Sequence, residues 1–219
     1  TNKDKASVLS AIAETSAQLE DTDAAQQVLS EALASARTLE APFAKSSALS
    51  AIAEAYKQLE DTDAAQQVLS EALDTAQSIE DSFYKFDALS AIAEAYRQLK
   101  DSETAQQVLR EALTAAQTLE GFSGSNALSA IAEAYRQLED SEAAQQVLKE
   151  ALAAAETADA SSPLQWIAET YAKLEDWGGA LRALRRCREE QKVWALTEVL
   201  TLWAEKQNPA LRELREEEE

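Results

Sequence analysis

A pentapeptide returns along this chain at nearly constant intervals. Ser-Ala-Ile-Ala-Glu stands at residues 10–14, 50–54, 90–94 and 129–133, and a divergent fifth copy centres on Ile167. The isoleucines Ile12, Ile52, Ile92, Ile131 and Ile167 are 40, 40, 39 and 36 residues apart. A second block, Ala-Gln-Gln-Val-Leu, begins at Ala25, Ala65, Ala105 and Ala144 and becomes Ala-Leu-Arg-Ala-Leu at residues 180–184. Self-similarity at such a period means one supersecondary unit per copy, each burying an apolar face on the next.

Within a copy the apolar spacing is helical. In the second, Leu49, Ile52, Ala53, Tyr56 and Leu59 recur at steps of three and four, which predicts a helix A over residues 46–59. The run Glu60-Asp61-Thr62-Asp63 interrupts it. Helix B is then expected over residues 63–80, with Ala65, Val68, Leu69, Ala72, Leu73, Ala76 and Ile79 inward. The carboxylate of Asp61 suits the N-cap, because it can accept the orphan amide hydrogens of the first turn. The aligned residues Asp21, Asp101, Asp140 and Asp176 are all aspartates. Phe43, Phe83 and Phe122 fall in the connection back to helix A, where plugs between copies are expected. Alanine, the best helix former, is concentrated on the facing sides and lets helix axes approach closely.

Composition narrows the chemistry. With no histidine there is no Ser-His-Asp or Cys-His site, and with Cys187 alone there is no intramolecular disulfide, Cys₄ site or CxxC pair. The glycines Gly121, Gly124, Gly178 and Gly179 fit no phosphate-binding loop. A net charge of −20 argues against nucleic-acid and anionic-membrane partners. The residues therefore offer no catalytic, cofactor-binding or metal-binding set, and an enzyme is not expected. The chain lacks methionine, so it is read as starting after a removed initiator or inside a longer protein. A lone cysteine and the absence of a signal-like apolar segment suggest the cytoplasm.

At this point the spacing resembles the tetratricopeptide repeat. Leu49, Ile52-Ala53, Tyr56, Ala65, Leu69 and Ala72 stand at that family's positions, as do Leu128, Ile131-Ala132, Tyr135, Ala144, Leu148 and Ala151. The unit is longer than the ~34 residues usual for the family, lacks its terminal proline and replaces its small glycine with alanine. It looks like the extended repeats of some motor-protein light chains and bacterial sensor proteins. The resemblance implies an all-α, right-handed α-solenoid of five helix-turn-helix repeats, with helix A lining a concave face.

The expected organisation is one solenoid over residues 1–207, with repeats at about 6–44, 46–84, 86–123, 125–160 and 162–190. A capping helix is expected at about 192–207 and an acidic tail over 208–219. Ser16 replaces tyrosine in the first copy, which reads as a more polar, exposed end.

The polar residues of helix A fall into rows. Ser50, Ser90 and Ser129 form one, Glu54, Glu94 and Glu133 the second, and Lys57, Arg97 and Arg136 the third. These rows can fix the register of a basic or polar peptide on the concave face. They can equally pair with each other and solubilise the helix. The carboxylate clamp of chaperone-binding members needs Lys and Asn where Ser50 and Glu54 stand, so that activity is not carried over. A basic concentration at Arg182, Arg185, Arg186 and Arg188 is a second candidate site. Cys187 reads as a buried thiol, and Trp166, Trp177, Trp194 and Trp203 as core and cap packing. The function expected is non-catalytic protein–protein interaction. The alternatives are a structural or self-associating module, which an engineered array also fits, and the sensor segment of a larger signalling protein.

Overall fold

A computed structural model describes residues 2–16, 22–157 and 161–208. Among these residues every regular element is an α-helix. The A helices are α1 (Asn2–Ser16), α3 (Pro42–Gln58), α5 (Ser82–Gln98), α7 (Gly121–Gln137) and α9 (Ser161–Lys173). The B helices are α2 (Thr22–Arg37), α4 (Thr62–Gln77), α6 (Ser102–Ala116), α8 (Ser141–Thr157) and α10 (Trp177–Arg186), and α11 (Glu189–Gln207) follows. The chain forms two compact units, residues 1–116 and 117–219. In the first, α1, α3 and α5 pack side by side and each B helix lies against its own A helix; in the second, α7, α9 and α11 form the corresponding row.

The A-to-B turn is built the same way in four copies. The Asp61 amide donates to the Tyr56 carbonyl at 3.0 Å and the Glu60 amide to the Lys57 carbonyl at 2.9 Å. These two bonds close a Schellman motif and satisfy carbonyls that the helix end leaves free. The motif needs a left-handed residue, and Glu60, Lys100, Glu139 and Glu175 supply it with φ of 60–62°. The aspartate that ends helix A also starts helix B. Asp61 Oδ1 accepts from the Ala64 amide, Asp101 Oδ1 from Thr104, Asp140 Oδ1 from Ala143 and Asp176 Oδ1 from Gly179, at 2.7–3.1 Å. Capping thus accounts for these acids, as the sequence suggests; Asp21 lies outside the described residues.

The B-to-A junction differs from the sequence expectation. Helix B of the second copy stops at Gln77 rather than 80, and helix A begins at Pro42 rather than 46. The Ser78 hydroxyl donates to the Thr75 carbonyl at 2.7 Å, an alternative to continuing the helix. Asp81 caps α5 by accepting from the Phe83 and Tyr84 amides, while Pro42 starts α3 with no amide to satisfy. The aromatics expected as loop plugs therefore sit in first helical turns. Phe43 does meet Tyr84 of the next A helix, with ring centroids 4.8 Å apart, but Phe83 and Phe122 are half exposed.

Each hairpin core is sealed by small and branched residues. Leu49, Ile52, Ala65, Ala72 and Ala76 have no accessible surface, nor do Leu89, Ile92, Ala105 and Ala112. In the fifth copy a Cβ on Gly179 would stand 2.4 Å from the Tyr171 ring, so the ring rests on the helix backbone. In the first unit the B helices are also linked across copies by side chains: Arg37 to Glu71 at 2.9 Å and Gln77 to Glu111. Such exposed pairs set spacing more than stability.

Replacing Glu60, Lys100 or Glu139 by glycine relieves a left-handed L-residue at some cost in unfolded-chain entropy. Each should raise stability by about 0.5–1 kcal/mol, read as a higher urea midpoint at unchanged m. Gly179→Ala should instead destabilise by about 1–3 kcal/mol in the same assay, because the Tyr171 ring must move. The account of the turn is contradicted if the first set lowers the midpoint.

Candidate functional site

The structure shows where each side chain of the A-helix polar rows goes. Glu54 and Lys57 pair at 2.6 Å. Arg97 grips both oxygens of Glu94, at 2.5 and 2.7 Å, and Arg136 grips those of Glu133 at 2.7 and 2.9 Å. In the fifth copy Lys173 takes this place, 2.8 Å from Glu169, and also approaches Glu133 at 3.9 Å. The carboxylate and base rows therefore neutralise each other within one helix, three or four residues apart. Two contacts join neighbouring A helices: Lys57 donates to Gln98 Oε1, and Lys173 faces Glu133.

These pairs shift the acids. The carboxyl of Glu94 is held below its ordinary range by the Arg97 guanidinium, against the effect of burial, with Gln98 adding a bond at 2.9 Å. For Glu133, burial pushes upward, but the Arg136 hydrogen bond and the Lys173 and Arg136 charges outweigh it and the result is lowered. The tyrosines behind the row, Tyr56, Tyr96 and Tyr171, are buried and their phenols are raised by that burial.

The serine row sits deeper than the charged rows. Ser50 and Ser90 are half-buried, Ser129 is buried, and its hydroxyl is spent on the Ser125 carbonyl at 2.7 Å. Ser90 Oγ is buried without a hydrogen-bond partner.

A groove of about 250 Å³ opens on this face in the second unit, between α7 and α9. Asn126, Ser129, Ala130 and Glu133 line one side, and Trp166, Glu169, Thr170 and Lys173 the other. Trp166 is its wall. The indole is 52% exposed and meets Trp194 of α11 edge-on at 6.4 Å. Aligned on the isoleucines, Trp166 takes the place of Ala11, Ala51, Ala91 and Ala130. A lone large aromatic at a position otherwise kept as alanine has no packing role that the other copies need. The four tryptophans are expected in core and cap packing; Trp166 and Trp194 do pack on each other between α9 and α11, but without being buried. Trp166, Trp194 and Trp203 are each about half exposed. The comparison of copies, position by position, carried the signal.

The arginines of the last repeat have different neighbours. Arg186 pairs with Glu156 of α8 at 3.0 Å, Arg182 lies beside Tyr171, and Arg185 is exposed. Arg188 is the N-cap of α11. Cys187 ends α10, buried, with burial raising its thiol and Sγ directed at the Ala183 carbonyl. Among the described residues no three metal-ligating side chains gather, and no helix is long and apolar enough to cross a membrane.

Hairpins of paired helices, repeated and stacked A on A, define an α-solenoid of helical repeats. Family models described as tetratricopeptide repeat match residues 46–78 and 84–157. These matches support a tetratricopeptide-like helical-repeat family, and proteins built of such repeats are protein–protein interaction scaffolds, generally non-catalytic. Among solved structures, it is similar to a putative kinesin light chain with nearly identical TPR-like repeats from Podospora anserina. That likeness has a TM-score of 0.55 and 17% identity, covering 92% of this chain and 96% of that one. It is also similar to BtubC (BKLC) from P. vanneervenii, with a TM-score of 0.54 and 20% identity over 86% of this chain and 80% of that one. At such identities the likeness concerns the fold. No curated protein matches the chain in sequence.

Because Glu94 and Glu133 are lowered in the folded state, their pairs add stability above the unfolded carboxyl value of about 4.3. That stability is lost as the pH falls through the lower folded values. Thermal melts should therefore be flat from neutrality to about pH 5 and decline below about pH 4.3. A Glu94→Gln, Glu133→Gln double variant should show a shallower acid decline. An equal decline in both proteins would contradict the pairing.

Proposed function

We propose that the A-helix face binds a peptide segment of a protein partner, extended or helical, with the α7–α9 groove as its anchor. The carrying observation is Trp166, a half-exposed indole at a position that is alanine in the other four copies. Aromatic anchors in a partly formed pocket dominate recognition, while surrounding polar contacts fix register. In the first unit the same face offers Ser50, Glu54, Lys57, Ser90, Glu94 and Arg97. In the second it offers Ser129, Glu133 and Arg136.

The internal ion pairs refine the ligand chemistry. A strongly basic peptide would have to compete with Arg97, Arg136 and Lys173 for carboxylates already held. A polar segment carrying one large apolar side chain fits better: the side chain lies on Trp166 and Ala130, and the polar groups meet the flanking pairs and Asn126.

Selection of binders from a displayed random-peptide library tests this. Peptides recovered on the whole chain should lose at least about tenfold in affinity on Trp166→Ala, in line with removal of an aromatic anchor, while far-UV circular dichroism stays unchanged. Their affinity should vary little with salt, since the carboxylates of the groove wall are already paired with Arg136 and Lys173. Binders indifferent to Trp166→Ala and to Glu94 and Arg97 charge reversal would overturn the assignment.

A further inference from the structure

The helix α11 meets the repeat in an incomplete way. The sequence suggests a cap that buries its apolar residues, yet only Ala195 and Val199 are buried, on the side facing α9. About a third of a turn further round runs a second apolar stripe, Val193, Leu196, Leu200 and Trp203, spaced three, four and three residues apart. These side chains are 72, 40, 52 and 48% exposed. Such spacing is what a packed helix presents to a neighbour, not what a solvated face presents. α11 extends the A row of its unit, and among the described residues nothing covers its exposed stripe.

The first copy carries a matching socket. Val8, Ala11, Ile12, Thr15, Ser16 and Val28 line an apolar cleft of about 450 Å³. Two sequence changes make it. Ser16 stands where Tyr56 and Tyr96 fill the corresponding space, and Val8 replaces the smaller Ala48 and Ala88. Val8 is 57% and Ile12 37% exposed, whereas the equivalent Ile52 and Ile92 have no accessible surface. Ile52 is covered by the packing of α3 on α1 and α2, so an A helix is the natural occupant of this surface.

We infer that two copies of this chain associate end to end, the Val193–Trp203 stripe of α11 in one seating in the α1–α2 cleft of the other. The contact continues the A-on-A packing seen inside each unit and covers both unpartnered apolar surfaces at once. A bulky Trp203 meets the space opened by Ser16. The contact is heterologous, so each bound pair still offers one free stripe and one free socket, and association is open-ended. It uses a surface different from the A-face groove and does not depend on that groove's ligand.

Light scattering coupled to size exclusion, from low-micromolar to near-millimolar protein, tests the inference. The average mass of the unaltered chain should climb with concentration and pass that of a dimer. Val8→Glu and Leu200→Glu, both at exposed positions, should each be monomeric with unchanged helicity. Mixed in equal amounts they should give a one-to-one dimer that grows no further, since one retains the stripe and the other the socket. Ser16→Tyr, which fills the cleft while restoring the residue used in the other copies, should also be monomeric. A chain that stays monomeric near millimolar overturns the inference, as does a mixture that fails to pair. A Val8→Glu variant that dimerises with itself would show pairing of α11 with α11, and a Ser16→Tyr variant that still grows would show the cleft unused; either result also overturns it.

Discussion

The turn from helix A to helix B is the constraint on which the structure rests. One aspartate ends the first helix through its amide and begins the second through its carboxylate, with a left-handed residue just before it. Few conformations satisfy both demands, so the angle between the two helices is set locally and repeats with the sequence. Ala65 and Ala105, buried without accessible surface, then allow the close approach that this angle requires. With hairpin geometry fixed four times by the same hydrogen bonds, the polar positions of helix A fall in register along each unit. The rows exist because the turn repeats.

Against that regular frame, the departures are informative. The consensus positions serve packing, capping and solubility, and the charged and capping ones have an assigned physical partner. Glu94 serves Arg97, Glu133 serves Arg136, and Asp101 serves the Thr104 amide. Three features depart from this repeated pattern. Trp166 replaces an alanine and stays half exposed, Ser16 replaces a tyrosine and leaves a cleft, and α11 keeps an apolar stripe uncovered. In a chain made of near-identical units, a structural need would recur in every copy. A residue found once is better explained by something outside the chain.

Much of the fold was legible in the sequence because its signals are local. The isoleucine period, the helical spacing of Leu49, Ile52 and Tyr56, and the aspartate at each interruption follow from short-range geometry. The junctions were less legible. Pro42, Asp81 and the Ser78 hydroxyl decide where helices start and stop, and each competes with a periodic pattern that runs through it. The left-handed Glu60 and Lys100 gave no signal, since glycine is the residue usually found there. The serine and charged rows were found, but not their depth. Whether Ser129 is buried, or Glu133 bound by two bases, depends on how neighbouring helices pack. The exposure of Trp166 was not legible, because aromatic residues in an apolar pattern are ordinarily core.

The central claim is that the A-helix face, rather than the B-helix face, meets the partner. Backbone and indole chemical shifts of the isotope-labelled chain, titrated with a library-selected peptide, test it most directly. The account predicts shifts concentrated on the Trp166 indole N–H and on Ala130, Glu133, Glu169 and Lys173, with little change at Gln106, Lys149 or Glu150 on the B helices. Shifts centred on those B-helix residues, with the Trp166 indole unmoved, would contradict it.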